Sequence, residues 1–421
     1  MIPMLASSAS GCNSPAASLR MPSQGAATPL GGALGASARM YFEDDPLVVA
    51  TARDLDAAGA AAALRRELPP FEYAAVLVFF SPSLDPQAFA VALGREFGET
   101  PVYGCTTAGE LGPDGMTEGG AVAIAFRVRD FAVVAQLVAD IAAATLEGLR
   151  GHLGQARAEL AAVEGDAKGR NRFALLLVDG LCLHEEALVS TIGACLDDIQ
   201  VVGGSAGDGM NFGATSVLYG GKARANSAVL LMFSTELAVR PFKCNSFEPT
   251  AVKLVVTEAD IDRRIVRELN AEPAAKEYAR IIGVPESELN GYVFAAHPVI
   301  VRVGGDFYAR SIQRANPDGS LTFFCAIDEG LVLTAAGRLD TLGVVEQMFA
   351  DTQAEIGEVA AYIGFDCLHR RLDAEHRQIV RDLEDLYRRN RVVGFNTYGE
   401  QFDAMHLNQT FSGVAIGQRA R

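Results

Sequence analysis

Two stretches of the sequence, residues 76–110 and 175–209, align with each other without a gap. Each reads as an apolar strand, a loop, an amphipathic helix, a second apolar strand and a glycine-rich loop. The identical pairs are Leu77/Leu176, Leu84/Leu183, Ala88/Ala187, Gly94/Gly193, Val102/Val201 and Gly104/Gly203. A strand, a helix and a second strand of this length favour parallel pairing through a right-handed crossover. The repeat therefore predicts a pseudo-duplicated N-terminal α/β domain over residues 45–240.

The rest of the chain, residues 241–421, has a less regular pattern and predicts a C-terminal α+β domain. Helices are predicted at residues 261–269, 274–282 and 341–356, and a long charged helix at 368–391. Strands are predicted at 252–256, 299–303, 307–312, 321–326 and 361–365. Residues 392–395 and 411–416 are expected to form a closing strand pair. The predicted fold class is thus α/β plus α+β.

The charge balance narrows the range of partners. Lys and Arg number 36 against 52 Asp and Glu, which gives a formal net charge of −16. So acidic a surface disfavours binding to nucleic acid and to anionic membranes. The sequence has no run of about 18 apolar residues, so we predict no membrane span.

The cysteines and the N-terminal segment indicate the compartment. Seven cysteines are scattered along the chain without a CxxC pair, so they indicate free thiols rather than a zinc or redox motif. Free thiols are typical of the reducing cytosol. Residues 1–40 are rich in Ala, Ser, Gly and Pro and lack the apolar stretch of a secretory signal. We therefore predict a cytoplasmic protein with a disordered N-terminal tail.

A dense set of hydrogen-bonding side chains lies between the two closing strands. This polar block consists of Asn396, Thr397, Tyr398, Glu400, Gln401, His406, Asn408, Gln409 and Thr410. A polar group placed in a core is costly unless it has a partner. The polar block is therefore either a network that satisfies itself or the wall of a ligand pocket, and we expect it to leave room for a ligand.

The same segment resembles a known family. GFNTYGEQ (394–401) and MHLNQTFSGVAIG (405–417) are similar to the C-terminal signature of FIST domains, a bacterial sensory module. Further motifs that match are VVGGSAGDG (201–209), VVTEAD (255–260), EYARIIGV (277–284), AAHPVIVRVGGDFYARSI (295–312) and PDGSLTFFCAIDEG (317–330). Several long motifs in the same order make this resemblance more specific than a lone glycine pattern. It implies a FIST N-terminal domain, a FIST C-terminal domain and a sensory role.

GCTTAGELGPDG (104–115) makes the chain similar to the NosP family of FIST proteins. NosP proteins are described as haem proteins that sense nitric oxide and report to signalling enzymes. The resemblance implies haem b as cofactor and a histidine kinase or a cyclic-di-GMP enzyme as partner. The first alternative is a haem-free sensor of amino acids or similar metabolites. The second is an adaptor that binds no ligand.

The histidines and cysteines supply the candidate iron ligands. His297, between apolar residues and before Pro298, and His406, within the polar block, are the axial candidates. The NosP resemblance implies a histidine just before Phe247, where this chain has Ser246, so Cys244 is the substitute candidate. His369 and His376 are surrounded by arginines on the long charged helix, which indicates a solvated face.

Other side chains suit a ligand that carries a carboxylate. Arg302 and Arg310, on adjacent predicted strands, could clamp a haem propionate or an amino-acid carboxylate, or they could form ion pairs with Asp306 or Glu400. Tyr308 and Tyr398 are candidate hydrogen-bond donors or iron ligands. Further candidate ligand-binding residues are Thr397, Glu400, Asn408 and Gln409 of the polar block, with Gly204, Ser205 and Asp208 of the second glycine-rich loop. This loop is not a Walker A motif, because no GK[ST] follows it.

Enzymatic catalysis is the last class of function to consider. Cys105 with His406, or Ser205 with a histidine and Asp208, are the imaginable nucleophile sets. No nucleophile elbow and no thiol-protease signature supports either set. We therefore predict a non-enzymatic sensor that acts through a separate signalling protein.

Overall fold

The computed structural model describes residues 45–164, 170–196 and 198–419. The predicted disordered tail, residues 1–40, lies outside this part of the chain. Among the residues that are described, every helix is too short or too polar to cross a lipid bilayer.

The first part of the chain forms two strand–helix–strand units. The first comprises β1 (Leu47–Arg53), α1 (Ala57–Glu67), β2 (Tyr73–Phe80), α2 (Pro86–Phe97), β3 (Val102–Thr106), β4 (Glu110–Gly112), β5 (Gly115–Thr117) and β6 (Gly120–Arg127). The second comprises β7 (Phe131–Val138), α3 (Leu146–Glu164), β8 (Asn171–Val178), α4 (Glu185–Cys195), β9 (Gln200–Ser205), β10 (Val217–Tyr219), β11 (Lys222–Arg224) and β12 (Ala228–Thr235). Strand β13 (Val239–Asn245) follows these two units.

The second part of the chain forms a separate sheet and then returns to the strand–helix–strand pattern. The sheet region comprises β14 (Phe247–Asp260), β15 (Ile265–Leu269), β16 (Glu272–Pro273), α5 (Ala274–Ile282), α6 (Gly291–Ala296), β17 (Val299–Val303), β18 (Asp306–Arg310), β19 (Ile312–Ala315), β20 (Leu321–Phe323) and β21 (Val332–Arg338). The remaining elements are α7 (Thr341–Ile356), β22 (Val359–Cys367), α8 (Leu368–His376), α9 (Val380–Arg389), β23 (Val392–Thr397), β24 (Glu400–Phe402), β25 (Met405–Leu407) and β26 (Thr410–Gly417).

The repeat occurs three times rather than twice. In the first two units β2 pairs with β3 and β8 with β9 in parallel, which confirms the pairing predicted from the sequence. The third unit pairs β22 with β23 in the same way. In each unit the last strand, β6, β12 or β26, then pairs antiparallel with the first strand of the parallel pair, which is β2, β8 or β22 respectively. The predicted duplication is therefore correct but incomplete.

Each unit lends a short hairpin to another unit. The hairpin β10–β11 pairs with β3, β24–β25 pairs with β9, and β4–β5 pairs with β23. The exchange is cyclic, and two of the three central sheets contain strands from both the N-terminal and the C-terminal regions that the sequence predicts.

Glycines allow the second strand of each unit to lie close to the first. A Cβ added to Gly104, Gly203 or Gly394 would lie 1.9, 2.0 or 1.8 Å from a carbonyl oxygen of the neighbouring strand. The carbonyls belong to Val78, Leu176 and Gly364, so the three positions are equivalent. This register shifts the first strands by one residue from the gapless alignment, because the loop before α4 is one residue longer than the loop before α2.

The three sheets turn one face towards a common apolar core. Its fully buried rings include Phe79 and Phe126 from the first unit, Phe173 and Phe233 from the second, and Phe365 and Phe395 from the third. Helices cover the outer faces and form a separate apolar cluster against each sheet. Burial on both faces explains why these strands read as continuous apolar runs.

Residues 247–338, which we call the cap, form an eight-stranded sheet inserted into the third unit. The helix predicted at 261–269 is wrong, because 265–269 form strand β15 between β14 and β20. Non-local pairing here overrides the local helical pattern. The predicted helices Ala274–Ile282 and Thr341–Ile356 are confirmed by α5 and α7.

Two predictions for the third unit need correction. The long charged helix is two helices, α8 and α9, and Gln378 between them has a left-handed φ of 58°. The closing strands β23 and β26 are not a pair, because β22 lies between them. The residues that join them form the hairpin β24–β25, which pairs with β9 of the second unit.

Candidate functional site

The polar block lies at the carboxyl end of β23, where strand-end loops of the second and third units meet the cap. The structure buries all nine of its side chains. Within the block, Thr397 Oγ1 donates to Glu400 Oε1, and the backbone N–H of Thr410 donates to Glu400 Oε2 at 3.1 Å. Burial raises the pKa of Glu400 well above its usual range. Much of the polar block therefore satisfies itself.

The same threonine–glutamate pair recurs in the first unit. Thr107 Oγ1 donates to Glu110 Oε1 at 2.6 Å, and burial raises the pKa of Glu110 to about 7. The two pairs stand in GCTTAGE and GFNTYGE, which share the spacing G-x-x-T-x-G-E. This shared spacing is the sequence signal that could have revealed the third unit.

Several hydrogen bonds link the polar block to the second unit and to the cap. Gln401 Nε2 donates to Ser205 Oγ at 2.9 Å, and Asn408 Oδ1 accepts from the backbone N–H of Ser311 in the cap at 3.4 Å. Gln409 Nε2 lies 3.5 Å from the Phe294 carbonyl oxygen, which also belongs to the cap. Of the two alternatives left open by the sequence, this conformation matches the self-satisfied network better.

Several buried polar atoms nevertheless lack a hydrogen-bond partner among the described residues. Four of them lie at the boundary of the cap and the polar block, namely Arg310 Nε, Ser311 Oγ, Gln401 Oε1 and His406 Nε2. Almost no surface of these atoms is accessible, so no water-sized space adjoins them. The expectation that the block leaves open room for a ligand is therefore wrong for this conformation.

His406 is held tightly in the block. Its Nδ1 lies 3.3 Å from Gln401 Nε2. Its Nε2 faces the backbone of Gly399, where an added Cβ would lie only 2.5 Å away. Burial lowers the pKa of His406 to about 4, and the charged groups that act on the ring are Glu186, Arg264 and Arg310.

The other two iron-ligand candidates lie elsewhere. His297 ends α6 half-buried, and burial and then Arg338 lower its pKa. Cys244 lies on β13, where burial raises the pKa of its thiol to about 11. Throughout residues 45–164, 170–196 and 198–419, no three His, Cys, Asp or Glu side chains come together in a way that could hold a metal ion.

The structure does not bring Arg302 and Arg310 together. The register pairs Arg302 with Phe307 and Arg310 with Val299, which places the two arginines on opposite faces of the strand pair. Arg302 is exposed, whereas Arg310 is half-buried near His406. Tyr308 lies beneath Lys243, whose Nζ is 5.6 Å from the ring centroid.

The second glycine-rich loop is braced from within. The carboxylate of Asp208 accepts from the backbone N–H groups of Phe212, Gly213 and Ala214 at 2.8, 2.7 and 2.9 Å. The Tyr398 hydroxyl also donates to this carboxylate. Gly204 packs so closely that an added Cβ would lie 2.6 Å from Thr397 Cγ2. Tyr398 thus binds a carboxylate, but an internal one.

The imagined nucleophile sets are not assembled. Residues 203–207 spell G-x-S-x-G, but Ser205 ends β9 buried, and the chain continues to strand β10 rather than to a helix as in a nucleophile elbow. Cys105 lies in the central core, and burial raises the pKa of its thiol well above the usual range.

Sequence reasoning missed a buried charged cluster between the cap and α4. Arg264 of the cap reaches Glu185 and Glu186 at the start of α4, each with an Nη2–Oε2 distance of 2.6 Å. The side chains of Arg264 and Glu185 are 3% and 2% exposed. Burial raises the pKa of Glu185 to about 7, although Arg264 opposes this rise. We call these three residues the charged cluster.

His369 was also misjudged. The sequence predicts a solvated face, but the ring is 2% exposed and lies edge-on to Phe324 of the cap, with centroids 5.4 Å apart. Burial lowers its pKa to about 4. Arg370 is buried as well, and its Nε donates to Asp366 Oδ1 at 2.6 Å.

Three open pockets of the described chain lie away from the polar block. One, of about 400 Å³, lies between α2 and the hairpin β10–β11. Two others, of about 560 and 360 Å³, lie beside α7 and α9. None of these three is lined by a residue of the polar block.

The strand-end loops and the cap of this fold enclose a group of buried polar side chains. Residues 74–272 match the FIST N domain family, and residues 274–403 match the FIST C domain family. The protein therefore has the two-domain FIST architecture, and FIST domains are small-ligand sensory domains. Among curated proteins, none is similar enough to the chain to match it.

Proposed function

We propose that this protein is a haem-free sensor that binds a small polar metabolite between the cap and the polar block. The observation that carries the proposal is the group of four unpartnered buried atoms on Arg310, Ser311, Gln401 and His406. Leaving a buried polar group unsatisfied costs about 1–3 kcal/mol. A ligand that supplied partners to these groups would recover much of that cost.

The charges at this boundary indicate the chemistry of the ligand. The Arg310 guanidinium and the Glu186 carboxylate both act on the His406 ring. A guanidinium pairs well with a carboxylate, and a carboxylate with an ammonium group. A zwitterion such as an amino acid would place its carboxylate against Arg310, and its ammonium group would share the Glu186 carboxylate with Arg264.

Access to the site requires movement of the cap. The unpartnered atoms have almost no accessible surface, so the described conformation is closed around them. The charged cluster is part of the same interface, and polar interfaces are typical of regions that separate and rejoin. A ligand that binds the open and closed states unequally shifts their populations, and a separate signalling enzyme could read that shift. The NosP resemblance makes a histidine kinase or a cyclic-di-GMP enzyme the expected partner.

The geometry around His406 favours a haem-free ligand. A Cβ added to Gly399 would lie only 2.5 Å from its Nε2, so an iron atom could bind there only after the backbone moved. His297, half-buried at the end of α6, and Cys244, on β13, are the other candidates for a bound haem b. Nitric-oxide sensing through haem is therefore the second candidate function, supported by the sequence resemblance alone.

Thermal unfolding with each proteinogenic amino acid, added singly, tests the proposal. We expect at least one to raise the melting temperature, because a ligand that binds only the native state stabilises it. Arg310→Met should abolish this rise. Arg302→Met, an exposed arginine on the opposite face of the same strand pair, should preserve it.

A parallel haem titration separates the two candidate functions. A haem spectrum that shifts with nitric oxide, together with no response to any amino acid, would replace the present proposal with the haem version. Equal amino-acid responses in the two arginine variants would place the ligand elsewhere.

A further inference from the structure

The cyclic exchange of hairpins creates an equivalent seam in each unit, where a helix lies beside the turn of a borrowed hairpin. In the second unit the seam is filled. A Cβ added to Gly193 of α4 would lie 2.6 Å from the Cβ of Ala404, in the turn of β24–β25. In the third unit Glu384 of α9 fills the seam, because its Oε1 accepts from the backbone N–H of Met116 at 2.9 Å.

The seam of the first unit is open. Gly94 of α2 is the counterpart of Gly193, and Gly221 in the turn of β10–β11 is the counterpart of Ala404. Apart from the chain neighbours of each glycine and, for Gly94, the backbone of its own helix, no described atom lies within 4 Å of a Cβ added to either glycine. The space between them is the pocket of about 400 Å³. The same construction that packs solidly in the second and third units therefore leaves a cavity in the first unit.

Gly94 has no evident structural reason to be glycine. It lies within α2 and its φ is not positive, so its backbone can accommodate any residue other than proline. Glycine inside a helix is destabilising relative to alanine. A larger side chain at this position would fill the open pocket beside it.

Apolar and aromatic side chains dominate the walls of the pocket, which also include Glu99 and Thr100. Tyr103 and Tyr219 lie side by side, with ring centroids 5.6 Å apart and planes at 42°. Leu93, Val102 and Leu218 line the same space. Burial raises the pKa of Tyr103 to about 12, so its hydroxyl is neutral at physiological pH. Aromatic walls of this kind favour stacked or edge-on contact with another ring.

We propose that this pocket is a second binding site, separate from the cap, and that it takes a small planar aromatic molecule. Its volume lies within the usual range for small-molecule sites. The proposal is independent of the sensor function assigned to the cap.

Indole is a suitable probe, because the chain has no tryptophan and the fluorescence of indole is then its own. We expect saturable binding to the full-length protein. Gly94→Leu should weaken it at least tenfold, because the new side chain enters the pocket. Gly154→Leu is the matched control, since Gly154 lies exposed within α3 with no described atom within 4 Å of an added Cβ.

Tyr219→Ala provides a second test that does not depend on filling the pocket, and it should also weaken binding at least tenfold. Circular dichroism melting of each variant shows whether it is folded. Absence of saturable indole binding would overturn the proposal. So would equal affinity in wild type and in folded Gly94→Leu or Tyr219→Ala protein, or an equal loss in Gly154→Leu protein.

Discussion

The charged cluster should contribute strongly to the attachment of the cap, and Arg264→Met tests this. The substitution keeps most of the side-chain volume but removes the charge that faces Glu185 and Glu186. It also removes the hydrogen bond from Arg264 to the Phe324 carbonyl oxygen. Glu185 then remains a buried carboxyl without its cationic partner.

The structure sets the size and the pH dependence of the effect. Removing one partner of a buried ion pair costs about 3–5 kcal/mol, whereas an exposed pair is worth about 0–1 kcal/mol. The folded pKa of Glu185, about 7, exceeds its unfolded value. Such a group contributes stability below the unfolded pKa that is lost as pH rises through the folded pKa. Loss of Arg264 raises the folded pKa further, so the deficit of the variant should grow with pH.

Urea unfolding followed by circular dichroism, at about pH 6 and about pH 8, measures the free energy of unfolding of both proteins. Lys276→Met is the control, because its pair with Glu272 is 63% and 53% exposed. We expect the Arg264 variant to lose about 3–5 kcal/mol at the higher pH and less at the lower. A loss equal to that of the control, or one that shrinks as pH rises, would refute the reasoning.

Further predictions concern the glycines, the braced loop and the buried histidines. Gly203→Ala should lower the free energy of unfolding by about 3 kcal/mol, since the new Cβ would lie 2.0 Å from a carbonyl oxygen. Gly94→Ala should raise it by about 0.5–1 kcal/mol, and similar urea midpoints for these two variants would contradict the account. Tyr398→Phe removes the hydroxyl that donates to Asp208 and should cost about 1–3 kcal/mol. It should also speed limited proteolysis of residues 208–215; unchanged cleavage would show that the brace is unimportant. His369 and His406 have folded pKa values of about 4, below the unfolded value, so their contribution is present above pH 6.5 and is lost as pH falls towards 4. At about pH 5 each histidine should lower the free energy of unfolding by about 2 kcal/mol. Replacing both histidines by Asn should therefore reduce the fall in the urea midpoint as the pH is lowered.

Local patterns in the sequence were enough for the first two units. Their strands are buried on both faces and read as apolar runs, and the helices between them are amphipathic. Helices α5 and α7 were predicted to the residue, because clear helical periodicity extends over their whole length.

The third unit was hidden by its insertions. The cap separates β13 from α7, and two helices rather than one join β22 to β23. The borrowed hairpin β24–β25 then made residues 392–417 look like a single strand pair. Strand order depends on contacts between distant segments, which local periodicity does not report.

The candidate site was predicted in part. The polar block is buried, but its side chains mostly bind each other. The sequence around Arg264 does not indicate that this residue forms a buried ion pair, because its partners on α4 are distant in sequence. His369 was misjudged because neighbouring arginines suggested solvent, whereas Arg370 is itself buried against Asp366. Strand alternation alone does not decide whether Arg302 and Arg310 share a face. The answer depends on the register of β17 and β18, which the turn between them sets.

Hydrogen exchange of the full-length protein, with and without the amino acid that stabilises it most, tests the central claim that a ligand binds beneath the cap. We predict slower exchange in residues 306–315 of the cap and in residues 400–409 of the polar block, because the ligand would hold both sides of the interface together. Slower exchange confined to other regions, or unchanged exchange in both segments despite saturating ligand, would contradict it.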